Sequence, residues 1–155
     1  MQFFLMRHGE ASYQAKSDKE RILTTLGKQQ ASLMAQWLTH QVENVDLVLL
    51  SPYIRVQQTW QQVRQFFNKT TRIHELEQLI PSADPQISAS VITAYAEQFN
   101  AKNVLVIAHM PLLGYLVSEL VRGIEPPLFA TAAIHKVDLT DGIATSVWQQ
   151  SPDHL

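Results

Sequence analysis

Three short runs, Phe3–Met6, Leu47–Leu50 and Val104–Ala108, are apolar at every position. A strand with one wet face alternates apolar and polar residues, so a run without alternation has to be covered on both sides. Strands of that kind are usually parallel, because parallel neighbours are joined by crossovers that lay helices on the sheet. The intervening segments have helical patterning, and the chain therefore reads as an α/β layer protein.

The first strand is Gln2 to Met6, followed by a charge-rich loop from Ala11 to Arg21. Thr24 reads as the cap of a helix with Leu26, Leu33, Met34, Trp37 and Leu38 on one face. The second strand, Asp46 to Leu50, runs into Ser51-Pro52, a cap followed by proline at the first helical position. Its helix carries Val56, Trp60, Val63 and Phe67 at helical spacing, and a strand from Arg72 to Leu76 comes next. Asp84-Pro85 repeats the cap-plus-proline device before a helix with Ile87, Val91, Tyr95 and Phe99 on one face. The fourth strand is Asn103 to Ala108. Pro111 opens a helix through Leu112, Leu113, Leu116, Val117, Leu120 and Val121, with Gly123 closing it and Pro126-Pro127 forbidding its continuation. Finally, Ile134–Leu139 and Ala144–Gln149 flank Thr140-Asp141-Gly142-Ile143, an Asp-Gly hairpin signal that supplies an antiparallel edge.

At 155 residues the chain suits one domain, residues 1–155, with a single substantial core. Apolar residues at 46% against charged residues at 17% place it among globular rather than disordered chains. The net charge of -2 without long like-charge runs gives no reason to expect nucleic acid or a membrane as partner. There is no cysteine, which excludes a disulfide framework, a thiolate metal site and a cysteine nucleophile. The N-terminal apolar run ends at Arg7, too soon for a signal-peptide core, and no stretch is long enough to span a bilayer. A cytoplasmic protein is expected.

Each of the three apolar runs ends in residues with chemistry: Arg7, His8 and Gly9; Ser51, Pro52 and Arg55; His109. In open α/β sheets ligands bind outside the carboxyl ends of the strands. Two arginines and two histidines are thus aimed at one place, which predicts a pocket for a phosphoryl group. His8 is the candidate nucleophile, since imidazole nitrogen accepts a phosphoryl group and splits a hydrolysis into two transfers. Arg7 and Arg55 would hold the equatorial oxygens through paired guanidinium donors, and His109 would be a further donor to the in-line transition state. Arg55 also breaks a local rule, because a cation in the first turn of a helix opposes the macrodipole. Gly9 and Arg21 are candidate substrate-binding residues, although a loop arginine is as readily explained as solvated. A zinc site at His8 and His109 lacks a third ligand and is disfavoured by the arginines, so no metal is expected. His40, His74, His135 and His154 read as ordinary polar residues.

Leu5-Met6-Arg7-His8-Gly9-Glu10 resembles the signature of the histidine phosphatase superfamily, which includes phosphoglycerate mutases and acid phosphatases. Leu23-Thr24-Thr25-Leu26-Gly27, Ser51-Pro52-Tyr53-Ile54-Arg55 with Gln58-Thr59, and Val106-Ile107-Ala108-His109-Met110-Pro111 are similar to its further motifs, in order, over nearly the whole chain. Compactness and the stretch Arg21-Ile22-Leu23-Thr24 resemble the SixA-type phosphohistidine phosphatases most. The resemblance implies a phosphoglycerate mutase-like, three-layer α/β/α sandwich with a mostly parallel sheet and an antiparallel C-terminal hairpin. It further implies a phosphohistidine intermediate on His8 and no metal or organic cofactor. The implied substrate is the phosphohistidine of a phosphotransfer domain or phosphocarrier protein in a signalling relay, and a monomer would suit access by such a partner.

One departure stands out. Where SixA-like sequences tend to have Glu-Leu-x-Pro, this chain has Gln78-Leu79-Ile80-Pro81, and Gln78 cannot donate a proton. Glu75, Glu77 and Asp18 remain candidates for a general acid, while Asp84 is better explained as a helix cap. Expelling an alkoxide needs strong acid help, but transfer between two imidazoles is close to balanced and needs less. The segment from Leu76 to Pro85 also leaves no room for a large lid. Both features favour phosphohistidine over the alternative, a small phosphorylated metabolite. A catalytically idle module that recognises phosphorylated partners is a third reading, weakened because all four core residues are present.

Overall fold

The computed structural model describes residues 1–67 and 72–155. Among them, β1 (Gln2–Arg7), β2 (Leu47–Leu50), β3 (Arg72–Glu75) and β4 (Asn103–Ala108) pair in parallel, and β5 (Ile134–Thr140) and β6 (Ile143–Gln150) add the antiparallel hairpin. The sheet runs β3-β2-β4-β1-β5-β6. The three non-alternating runs are the central strands, and Phe3 to Met6 are completely buried. Successive residues point to opposite faces, so each run feeds two cores. Phe4, Met6, Val48, Leu50, Leu105 and Ile107 pack with α1 (Thr25–Leu38) and α2 (Ile54–Val63). Phe3, Leu5, Leu47, Leu49, Val104 and Val106 pack with α3 (Pro85–Gln98) and α4 (Leu112–Leu120). This is the α/β/α sandwich expected. Because β4 lies between β2 and β1, the carboxyl ends of these three parallel strands are immediate neighbours.

The punctuation largely behaves as its chemistry dictates. Thr24 accepts the Gly27 N–H at 3.0 Å, and Asp84 accepts from Gln86 and Ile87 ahead of α3. Asp141 and Gly142 both take positive φ, 53° and 75°, as the two-residue hairpin requires. No helix among the described residues is long and apolar enough to cross a membrane.

Five readings need correction. Ser51 does not cap α2; Tyr53 occupies the cap position without a side-chain bond, and the helix begins at Ile54. α2 also stops at Val63 and gives way to a 3₁₀ turn, Arg64–Phe66, so Phe67 reaches the core from extended backbone. In α1 the buried positions are Gly27, Ala31, Met34, Ala35 and Leu38, while Leu26 and Leu33 are exposed. α3 likewise buries Ser88, Ile92 and Ala96 and leaves Ile87 exposed. In both helices small residues face the sheet, which lets the backbone approach closely and turns the larger apolar residues aside. Last, α4 ends at Leu120 with Val121 already extended, so Gly123, at φ 83°, belongs to the following turn and not to the cap.

Candidate active site

His8 directly follows β1, and its backbone is pinned on both sides: its N–H donates to Ala108 at the end of β4, and its carbonyl accepts from Ala132. The ring is buried, with Nδ1 2.7 Å from the Gly9 carbonyl. A carbonyl only accepts, so Nδ1 carries the proton and Nε2 keeps its lone pair. Arg55 Nε donates to that nitrogen at 3.2 Å. Gly9 is held in turn by Thr59, whose Oγ1 accepts the Gly9 N–H at 3.1 Å. A Cβ on Gly9 would collide with the Gly27 carbonyl, so only glycine lets the strand end approach α1 this closely.

His109 follows β4 and its ring lies 5.4 Å from that of His8, nearly edge-on. Its Nε2 is 2.7 Å from Ser51 Oγ, the residue after β2. Ser51 also accepts the Tyr53 N–H at 3.3 Å, and its one hydroxyl proton is available to His109 Nε2. With that bond so directed, His109 carries its own proton on Nδ1. The two histidines then share the Nδ1-protonated tautomer: His8 turns its Nε2 lone pair to Arg55, and His109 presents its Nδ1 N–H. Among the described residues, the buried His109 Nδ1 and Arg7 Nε have no hydrogen-bond partner. Buried polar atoms are rarely left so, and two unused donors fit a site that awaits an acceptor.

The guanidinium groups are held from several directions. Arg7 donates from Nη1 to the Phe129 carbonyl at 2.7 Å. Arg55, the second residue of α2 and almost fully buried, donates to the Asp18 carbonyl at 2.7 Å and pairs with Asp18 Oδ2 at 3.3 Å. The loop carrying Asp18 reaches it because the Lys19 carbonyl accepts the Ile54 N–H at the start of α2. Arg21 pairs with Asp18 Oδ1 at 3.3 Å, donates to the Ser12 carbonyl and covers the Tyr13 ring. Two arginines, Arg55 and Arg21, thus share one carboxylate.

The electrostatics follow. Burial, reinforced by Arg55, Arg7 and Arg21 and opposed by the Gly9 carbonyl, pushes His8 down to about 3. Burial and the neighbouring His8, Arg55, Arg7 and Arg21 push His109 down to about 2. Both rings are therefore neutral at physiological pH. Burial works to raise the Asp18 carboxyl, but Arg55 and Arg21 outweigh it and hold the group below its usual range.

The structure thus brings Arg7, His8, Gly9, Arg55 and His109 together, with Arg21 joined to them through Asp18. Glu75 ends the edge strand β3 and Glu77 lies just beyond it; both are exposed, and among the described residues no hydrogen bond or ion pair ties either to the cluster. Among the described residues, no group of three or more His, Cys, Asp or Glu is placed to hold a metal ion. The sequence reading missed Ser51, Thr59 and the Phe129 carbonyl. Ser51 stands at a strand end and Thr59 one helical turn after Arg55, so both carried a positional signal; a backbone carbonyl carries none.

Residues 3–80 match the profile of the histidine phosphatase superfamily, branch 1. The chain belongs to the histidine phosphatase superfamily. Within it, the chain is 42% identical to the phosphohistidine phosphatase SixA of Escherichia coli (strain K12), over all of this chain and 96% of that protein. It is 37% identical to a SixA homolog of Haemophilus influenzae (strain ATCC 51907 / DSM 11121 / KW20 / Rd), over 92% of this chain and 90% of the relative. Among solved structures, the protein histidine phosphatase SixA complexed with tungstate superposes with a TM-score of 0.92 at 42% identity, covering 99% of this chain and 98% of that one. The alpha-ribazole phosphatase of Shigella flexneri, at 19% identity and a TM-score of 0.78 over 98% of this chain and 97% of that one, shares the superfamily fold.

Proposed function

We propose that the chain is a protein phosphohistidine phosphatase that takes the phosphoryl group onto His8 Nε2 and releases it to water. The observation that carries this reading is the His8 Nδ1 bond to the Gly9 carbonyl, which leaves the lone pair of Nε2 facing the arginine cluster. The similarity to SixA supports phosphohistidine as the substrate class.

In the first transfer, the phosphorus–nitrogen bond of the substrate breaks as the bond to His8 Nε2 forms. The substrate imidazole departs neutral when its distal nitrogen carries a proton. In the second transfer, water attacks phosphorus and the electron pair returns to His8 Nε2, whose ring also departs neutral because Nδ1 keeps its hydrogen. The proton of the attacking water leaves with the phosphate. Neither step expels an alkoxide, so Gln78 in place of a carboxylic acid is no handicap. Arg7 Nε and His109 Nδ1, the unused buried donors, bind the phosphoryl oxygens, with Arg55 beside the nucleophile as charge spreads over them. Gly9 acts through its carbonyl on the tautomer of His8, and Arg21 acts with Asp18 at the rim. A place in a cytoplasmic phosphotransfer relay, with a monomer meeting a phosphotransfer domain or phosphocarrier protein, belongs to the same reading.

Incubation with a phosphohistidine-bearing carrier protein should release phosphate, leave acid-labile, base-stable phosphate trapped on the enzyme, and fail with His8→Ala. An unchanged rate in that variant, or a metabolite panel cleaved faster than any phosphoprotein, would sink the assignment.

A further inference from the structure

Arg7 hangs from one backbone carbonyl, that of Phe129, and what holds that carbonyl lies outside the site. Leu5 and Arg7 are on the same face of β1, and Leu5 pairs across the sheet with His135 of β5, which in turn pairs with Gln149 of β6. His135 and Gln149 therefore occupy the row next to Arg7. His135 is buried, with Nδ1 2.9 Å from Gln149 Oε1 and Nε2 2.9 Å from Ser146 Oγ. Ser146 reaches it because the register shifts between Lys136 and Val137, a β-bulge that turns Ser146 to the His135 face; unbulged pairing would place Ser146 on the opposite face.

The bonds have a definite direction. Gln149 Nε2 donates to the Leu128 carbonyl at 2.7 Å, which leaves Oε1 to accept the His135 Nδ1–H, and Ser146 then donates to Nε2. Leu128 precedes Phe129, whose ring is buried against His135 at 5.9 Å and whose carbonyl takes Arg7. We infer that His135, Gln149 and Ser146 form a clasp that positions Arg7 for the phosphoryl group by fixing the Leu128–Phe129 backbone. The inference rests on the assignment of Arg7 to that group. These are positioning residues, since none touches the substrate.

Gln149 is exposed on the edge strand, so its replacement leaves the core intact. Titration calorimetry with inorganic phosphate should show binding weakened about three- to tenfold in Gln149→Leu, a loss on the scale of one or two hydrogen bonds. The unfolding midpoint should fall modestly, because the buried His135 Nδ1–H loses its acceptor, while the protein stays fully folded at the assay temperature, and KM should rise more than kcat falls. In an Arg7→Ala background the same substitution should add nothing, because the clasp acts only through Arg7. Equal weakening in both backgrounds, or wild-type phosphate binding by Gln149→Leu alone, overturns the clasp and leaves the site assignment standing. Wild-type binding by Arg7→Ala overturns the assignment of Arg7 and the clasp with it. His135→Phe, which keeps the ring packed on Phe129 while losing both bonds, should weaken phosphate in the same direction.

Discussion

Asp18 holds Arg55 with both its carbonyl and its carboxylate, and it shares that carboxylate with Arg21. Sequence alone left it as one of three possible general acids. Its geometry and its lowered pKa fit an anion that orients the guanidinium groups and competes with the phosphoryl group for them. Asp18→Asn keeps the carbonyl bond to Arg55 and removes the competing charge. Inorganic phosphate should then bind about two- to fivefold more tightly, a small effect because the side chain is half exposed. Turnover should stay within a few-fold of wild type. A hundredfold loss of kcat with unchanged phosphate affinity would restore Asp18 as the proton donor. At this scale the cationic cluster was legible, since Arg7, His8, Arg55 and His109 all sit at strand ends or in the first turn after one. The tautomers were not legible, because they depend on Gly9 and Ser51, partners whose positions only the folded backbone defines.

Among the elements, the strands were easiest to read and the helix faces hardest. A run such as Leu47–Leu50 has one interpretation, whereas α1 offers Leu26 and Leu33 as a decoy stripe beside the real one of Gly27, Ala31, Met34, Ala35 and Leu38. Hydrophobic size misleads where close approach decides. Gly9 and Gly27 show the cause, for a Cβ on Gly27 would strike the backbone of Glu10, as one on Gly9 would strike Gly27. The obstacle in both cases is main chain, which cannot rotate aside. Gly27→Ala should therefore push the segment after β1 away from α1, at a cost of about 1–3 kcal/mol in a denaturation experiment. Because that segment carries the Gly9 carbonyl that holds His8, activity should fall about tenfold or more even where the protein is fully folded. A variant with wild-type stability and rate would show that the two backbones are not in contact. The misread helix cap has a functional source. Ser51-Pro52 has the form of a cap and first helical residue, yet Ser51 is spent on His109, and the helix starts later without a side-chain cap.

For the whole molecule, the decisive fact is strand order. Sequence showed that three apolar runs end in chemistry, but not that β4 lies between β2 and β1; that adjacency lets residues from three distant segments meet at one place. It also buries two imidazoles beside three arginines, with a consequence for stability. His8 and His109 titrate near 3 and 2 in the folded protein, against 6.5 ordinarily. Below pH 6.5 the unfolded chain takes up protons that the native site refuses, so the unfolded state binds more of them and is favoured. The stabilisation from neutral burial is thus complete above pH 6.5 and is lost as the pH falls toward 3. One pKa unit corresponds to about 1.4 kcal/mol, so a descent from pH 7 to pH 5 should remove about 2 kcal/mol for each of the two histidines. Urea unfolding of the wild type and of a His8→Asn/His109→Asn double variant, at both pH values, isolates this contribution from that of the carboxylates. The double variant should lose less stability over the interval by about 4 kcal/mol, keeping a residual slope because burial also lowers His135, against the pull of its Gln149 bond. Parallel pH profiles for the two proteins would mean that the rings accept protons in the folded state, and a protonated His8 could not play the part proposed for it.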